Sequence, residues 1–194
     1  MPMTHRVKAL GTFVYPAADI KTPPTMHLPL NAEVRVAEWE ERFCRLERGG
    51  FIITRHLTER DRFERDFVDI AERLIGSPYL WGGRTRIGID CSGLVQIALQ
   101  AAGVDAPRDT DMQAAELGEP ILIPDELDGL KRGDLVFWPG HVGIMSDAVM
   151  LVHANAHHMA VAAETLPEAA ERIARQSAPI TTIRRLAPRE ARTA

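Results

Sequence analysis

The segment Pro78-Tyr-Leu-Trp-Gly-Gly, a short gap, and Ile89-Asp-Cys-Ser-Gly-Leu-Val concentrates the residues best suited to chemistry. Cys91 falls where an apolar helical run begins. A sulfur there sits among backbone N–H groups that have no intrahelical partner, at the positive end of the helix dipole, a setting that lowers a thiol pKa and favours the nucleophilic thiolate. A cysteine at an arbitrary position is more often a small buried apolar residue. Asp90 and Ser92 on either side suit a solvent-reached helix start better. A cysteine nucleophile needs a base, and the base needs a group to orient it. The run His141-Val-Gly-Ile-Met-Ser-Asp-Ala-Val-Met-Leu-Val-His153 offers both. If its turn centres on Asp147, His141 and His153 stand opposite each other on one face of an antiparallel hairpin, with Cβ atoms about 5 Å apart. Asn155 is a second polar candidate for the orienting position, two residues further from the hairpin centre.

Metal binding is the rival use of the same side chains, because His153, His157 and His158 cluster and Cys91 could complete a set. The adjacent His157 and His158 would point to opposite sides of a strand, and no ligand-spacing motif is matched. No cofactor or metal is therefore expected. Tyr79 and Trp81 are open to two readings, packing in the loop under the helix or contact with a ligand. Asp134 reads as a turn residue, Trp138 as a core strand residue, and Cys44 as strand packing, with a Cys44–Cys91 disulfide disfavoured by the helix-start position of Cys91.

The elements that must position these residues divide the chain in two. Residues 1–57 read as short strands: Arg6 to Tyr15, then a loop with four prolines from Pro16 to Pro29, then Glu33 to Glu38, Arg42 to Glu47 and Phe51 to Thr54 after a Gly49-Gly50 turn. Short strands with regular turn signals predict a small β-barrel. From Thr58 the periodicity becomes helical, with Phe63, Phe67, Ile70, Ala71 and Leu74 on one face before Gly76-Ser77-Pro78. Residues 62–187 then alternate. Helices are expected over Cys91 to Ala102, Thr110 to Leu117 and Pro167 to Arg175. Strands are expected over Asp134 to Trp138, His141 to Met145, Val149 to His153, Ala160 to Ala163 and Ile180 to Leu186, which makes an α+β arrangement. Residues 188–194 read as a disordered tail.

Composition bounds the function. The 194 residues are 45% hydrophobic and 26% charged, the balance of an ordinary globular protein. Two cysteines cannot build a disulfide framework. A net charge of -4 argues against nucleic acid as a partner, since that affinity comes largely from lysine and arginine neutralising phosphates. Apolar runs are too short for a membrane span. The charged amino terminus lacks a secretory pattern, which leads to the expectation of a cytoplasmic protein unless a segment precedes Met1.

Taken together, these residues resemble the NlpC/P60 cysteine peptidases, which cleave peptides of the bacterial cell wall. The resemblance covers about Phe63 to Leu186. It rests on Pro78-Tyr-Leu-Trp-Gly-Gly, Asp90-Cys-Ser-Gly, Pro107-Arg108 with Gln113 downstream, Arg132-Gly-Asp134-Leu-Val-Phe-Trp, His141-Val-Gly-Ile and His153-Ala, in the family's order. It implies a papain-like α+β fold, the cysteine helix packed on an antiparallel sheet, with Cys91 as nucleophile, His141 as base and His153 as its orienting partner. It also implies that Tyr79, Asp90 and Ser92 line the substrate site. An anionic Asp90 would suit a free amino group on the substrate, and the Cys91 N–H and Tyr79 hydroxyl would hold the oxyanion. The β-rich segment resembles a bacterial SH3 domain, a pairing that implies γ-D-glutamyl-L-diamino acid bonds of peptidoglycan-derived muropeptides as the target. Two rivals remain: a thiol amidase or acyltransferase on another acyl substrate, and a non-catalytic wall-binding module.

Overall fold

The computed structural model describes residues 2–187; the expected tail over 188–194 lies outside the described residues. The amino-terminal part contains β1 (His5–Val7), β2 (Gly11–Val14), β3 (Met26–Pro29), β4 (Glu33–Val34), β5 (Val36–Trp39), β6 (Phe43–Leu46), β7 (Phe51–Ile53), a 3-10 turn over Thr54–His56, and β8 (Leu57–Glu59). They form three small sheets, β4-β1-β8, β2-β3 and β5-β6-β7. One apolar cluster, including Val7, Val14, Cys44, Ile52 and Leu57, fills the space among them. Two strands escaped the sequence pattern. The end of the proline-rich segment forms β3, with Pro29 at the strand end opposite Gly11, where its missing N–H costs little. Strand β8 pairs with β1 at the other end of the segment, a non-local match that no local signal announces.

The remainder contains α1 (Phe67–Arg73), β9 (Arg84–Thr85), β10 (Gly88–Ile89), α2 (Cys91–Ala101), α3 (Thr110–Glu116), β11 (Glu119–Ile121), β12 (Leu135–Trp138), β13 (His141–Met145), β14 (Met150–Asn155), β15 (Ala160–Thr165), α4 (Leu166–Gln176) and β16 (Thr182–Arg185). Helix α1 starts later than the periodicity predicts. Asp66 caps it by accepting from the Val68 N–H, and Phe63 lies ahead of it under the Arg6 guanidinium. A six-stranded antiparallel sheet, ordered β11-β16-β12-β13-β14-β15, is the platform. One face carries Leu135, Phe137, Val142, Ile144, Val152 and Ala154 against α2 and α1. The other carries Val136, Trp138, Met145, Leu151 and Ile183 against Leu166 and Ala169 of α4. Helix α2 is buried along nearly its whole length, as its apolar girth predicts.

Two arginines tie distant pieces together. Arg132 donates to Asp66, Asp69 and Glu72 of the α1 region and to the Ser146 carbonyl, which fixes α1 beside the β13–β14 hairpin. Arg6 of β1 is 4% exposed and donates to the carbonyls of Arg62 (2.6 Å) and Ala101 (3.0 Å) and to Asn31 Oδ1 (3.1 Å). Asn31 in turn donates to the Ile97 carbonyl at 2.9 Å. The β-rich part thus supplies a cation to the carboxyl end of α2, where carbonyls lack intrahelical partners and the dipole is negative.

Candidate active site

Local sequence builds the seat of Cys91. Asp90 is extended and caps α2, accepting from the Gly93 N–H at 2.8 Å through Oδ1. Its Oδ2 accepts from the Gly82 N–H at 2.8 Å and from Arg108 at 2.6 Å. Arg108 also donates to Ser92 Oγ at 2.7 Å. Burial opposes the charge on Asp90, but Arg108 and the two glycine N–H groups outweigh it and hold the carboxyl below its usual range. The turn beneath the helix start needs glycines, since a Cβ on Gly93 would stand 2.4 Å from the Gly83 carbonyl oxygen. Cys91, at the first helical position, is 7% exposed, and its Sγ lies 4.0 Å from the Gly140 carbonyl oxygen.

The sheet leaves a place for that sulfur. Strands β13 and β14 pair only at Ile144–Val152 and Met145–Leu151. The Ser146 N–H donates to the Met150 carbonyl, so by strand alternation the Val142 N–H also points toward β14, past the end of the ladder. Cys91 fills this unpaired edge and accepts from the Val142 N–H. The expected low thiol pKa is not found. Burial, the largest effect, and nearby Asp90 push it up, against the Val142 and Ser92 N–H groups and the Thr110 side chain. A helix start lowers a thiol pKa where the thiolate stays well solvated, and only 7% of Cys91 is exposed.

His141 and His153 do meet, Nε2 to Nδ1 at 2.8 Å. They meet on a diagonal, however, and not directly opposite. Asp147 Oδ1 accepts from the Val149 and Met150 N–H groups, and the hairpin centres on Ala148. Continued outward, this register sets Asn155 opposite His141 and Gly143 opposite His153. A two-residue offset keeps both imidazoles on one face and within diagonal reach. The other nitrogen of His153, Nε2, lies 2.7 Å from Glu164 Oε1 on β15, and the same oxygen accepts from Arg172 of α4. Because a carboxylate only accepts, His153 carries its proton on Nε2 and receives the His141 Nε2–H through Nδ1. Nδ1 of His141 is then an unprotonated base. Burial, followed by the charges of His153 and Arg172 and opposed by Glu164, pushes His141 down to about 3. Burial, then Arg172, pushes His153 down to about 3 as well.

A cavity of about 640 Å³ opens on Cys91 and is lined by Trp81, Asp90, Ser92, Arg108, Asp109, Thr110, Trp138 and Gly140, among others. Asp90 and Ser92 therefore line it, but the Asp90 carboxylate is paired with Arg108, so an incoming ammonium would join an ion pair and not meet a lone anion. Trp81 lines the cavity and is 83% exposed, so it does not pack in the loop under the helix. Tyr79 is half-buried against the core, near enough to Cys91 and Asp90 that burial and both groups push its phenol up. Trp138 is buried, its ring 5.6 Å from that of His141. Asp134 is more than a turn residue: it is 1% exposed and binds Arg185 through both oxygens. Gln113 fastens α3 to the helix start through the Ser92 and Pro107 carbonyls. Cys44 packs in the core of the β-rich part, and both cysteines are free thiols.

Asn155 takes no part in orienting His141; it accepts from the His158 N–H. Ligand atoms of His153, His158 and Glu164 lie within 4.8 Å of one another. Arg172 already supplies the cation at that carboxylate, which favours a hydrogen-bonded chain over a metal site. Cys91 is not part of that group. Glu164 and Thr110 were missed from sequence. An acidic residue closing the apolar run Ala160 to Ala163 was the available signal for the first; nothing local marked the second.

Known proteins match this chain in sequence and in fold. Residues 76–175 match the model of the NlpC/P60 family. Dipeptidyl-peptidase 6 of Lysinibacillus sphaericus is 33% identical over 146 residues, covering 75% of this chain and 51% of that protein. A γ-D-glutamyl-L-lysine dipeptidyl-peptidase of Bacillus subtilis is 33% identical over 112 residues, covering 53% of this chain and 36% of that protein. The chain thus spans about half the length, or less, of the curated relatives it matches. An NlpC/P60 family protein from Bacillus cereus superposes with a TM-score of 0.75 at 19% identity, over 95% of this chain and 63% of that one, which establishes the likeness of fold. In the described residues no helix is long and apolar enough to cross a membrane.

Proposed function

The chain belongs to the NlpC/P60 family, and from that premise we propose that it is a cysteine peptidase acting on peptidoglycan-derived peptides at a γ-D-glutamyl-L-diamino acid bond. The observation that carries the reading is the Cys91 sulfur 4.0 Å from the carbonyl of Gly140, the residue preceding His141, whose free nitrogen is assigned by a hydrogen-bonded chain. The Lysinibacillus and Bacillus relatives, named as dipeptidyl-peptidases, support the substrate class.

The chemistry proceeds in two halves. His141 Nδ1 takes the Cys91 proton as sulfur attacks the γ-carbonyl carbon, and the oxyanion forms beside the Cys91 N–H at the start of α2. Collapse breaks the C–N bond, the leaving amine takes the proton from His141, and a thioester remains. Water, deprotonated by the same imidazole, hydrolyses the thioester and restores the thiol. A buried thiol and a buried neutral imidazole are a resting pair in this scheme, and charge separates only as the bond forms.

The amino-terminal β-rich part is proposed to be a bacterial SH3-like domain, with the boundary to the peptidase domain in the segment that follows β8. Its pairing with the peptidase favours substrates that begin with a free L-alanine. Mass spectrometry of products from a muropeptide mixture tests the reading: release of L-Ala-γ-D-Glu, absent with Cys91→Ala, is expected. Equal cleavage of a tripeptide and its N-acylated form would remove the free-terminus preference, and intact muropeptides would remove the peptidase reading.

A further inference from the structure

The face of the sheet that α4 covers carries a line of polar groups beside its apolar cluster. His141 on β13, His153 on β14, Glu164 on β15 and Arg172 on α4 are joined in sequence, each to the next. Both cross-strand links are diagonals, since His153 pairs in register with Ala162 and Glu164 with Leu151. His153 is fully buried and the Glu164 side chain is 14% exposed. A partly buried carboxylate is costly unless it is satisfied, and here Arg172 and His153 satisfy it together. Glu164 is joined to His141 only through His153, two hydrogen bonds along the chain, so any influence on that ring passes through His153.

We propose that Glu164, held by Arg172, is a positioning residue that acts through His153 to keep the lone pair of His141 on Nδ1 and to support positive charge on that ring. The inference rests on the assignment of His141 as the base. An anion at the far end of the chain favours the imidazolium that forms when Cys91 gives up its proton, without touching substrate. The other charged or titratable groups that face the pair are Arg172 from α4 and His157 and His158 from the β14–β15 turn, all of which oppose protonation of His153. Glu164 is the group that favours charge on His141.

Iodoacetamide labelling of Cys91, mapped by peptide and compared with Cys44, separates this role from a merely structural one. At about pH 7 the thiolate depends on proton transfer to His141, whereas well above the thiol range, at about pH 11, it forms unaided. In Glu164→Gln the neutral-pH rate is expected to fall about tenfold with the alkaline rate unchanged, equivalent to a shift of about one pKa unit. Hydrolysis of the L-Ala-γ-D-Glu-diamino acid tripeptide is expected to fall about 10- to 100-fold, the lower part of the range for general-base effects. Glu164→Asp, which keeps the charge, should recover part of both losses. Unchanged labelling in Glu164→Gln overturns the proposal. So does a fall at both pH values accompanied by labelling of Cys44, which signals loosened packing, and so does a Glu164→Asp protein no better than Glu164→Gln. If the wild-type protein leaves the tripeptide intact yet shows the pH-selective labelling change, the relay stands and the peptidase reading fails.

Discussion

Nε2 of His141 and Nδ1 of His153 are 2.8 Å apart across a hairpin whose register does not place the two residues opposite each other. The contact therefore depends on both rings leaning along the strands, and the two residues should contribute unequally. His141→Ala removes the base itself, with an expected loss of about 10²- to 10⁴-fold in kcat/KM. His153→Ala removes the partner that orients it, so the loss should be smaller by about tenfold or more. Cys91→Ala should abolish hydrolysis while leaving the denaturation midpoint close to wild type. Equal losses in the two histidine variants would mean that their roles are misassigned.

Stability should decline on acidification before any carboxylate is protonated. Both imidazoles sit near 3 in the folded protein against 6.5 when free, because burial penalises their charge. Between those values the unfolded chain binds protons that the folded chain does not. The associated stability is complete above about 6.5 and is lost as pH falls, with a slope on the order of 1 kcal/mol per pH unit for each histidine. Urea denaturation at pH values from about 7 down to about 5 measures it. A His141→Gln, His153→Gln double variant should flatten the curve, and a flat wild-type curve would contradict the buried neutral pair.

Gly93→Ala is the sharpest test of the turn under α2. Its Cβ would meet the Gly83 carbonyl oxygen at 2.4 Å and Asp90 Oδ1 at 2.9 Å. Overpacking of this kind costs about 1–3 kcal/mol, and here it would displace the cap of the helix that carries Cys91. Activity should fall more steeply than stability. Wild-type kcat/KM in Gly93→Ala would show that the seat of Cys91 tolerates movement.

Arg6→Met should weaken the junction between the β-rich part and the carboxyl end of α2. Hydrogen bonds from a charged group to the Arg62 and Ala101 carbonyls and to Asn31 are lost together, at about 1.5–3 kcal/mol for the charge-assisted contacts. Chemical denaturation of the full chain reads the loss. A change below about 0.5 kcal/mol, the usual range for surface substitutions, would mean that apolar packing holds the junction unaided, as through Leu30, which is buried in the cluster that includes α1 and α2 residues.

The residues that act through their immediate neighbours were legible in the sequence. Asp90, Cys91 and Gly93 announce a capped helix start because capping is settled within a few residues. The shared face of His141 and His153 follows from strand alternation, which preserves parity whatever the exact register. The register itself was not legible. Asp147 folds its carboxylate onto the Val149 and Met150 N–H groups and moves the hairpin centre by one residue, which turns a directly opposed pair into a diagonal one.

Sequence alone thus determined which side chains could react and where their helix and strands begin. Only the tertiary structure decided how those groups are tuned. Burial reverses the expected direction of the Cys91 pKa, and that burial comes from packing α2 between α1 and the sheet. Arg108 occupies Asp90, and Glu164 and Arg172 extend the histidine chain, through contacts between separate elements. Arg6 reaches Ala101 across 95 positions of chain. Pairings of this kind depend on how elements dock, and docking is a sum over many weak contacts that no short stretch of residues encodes by itself.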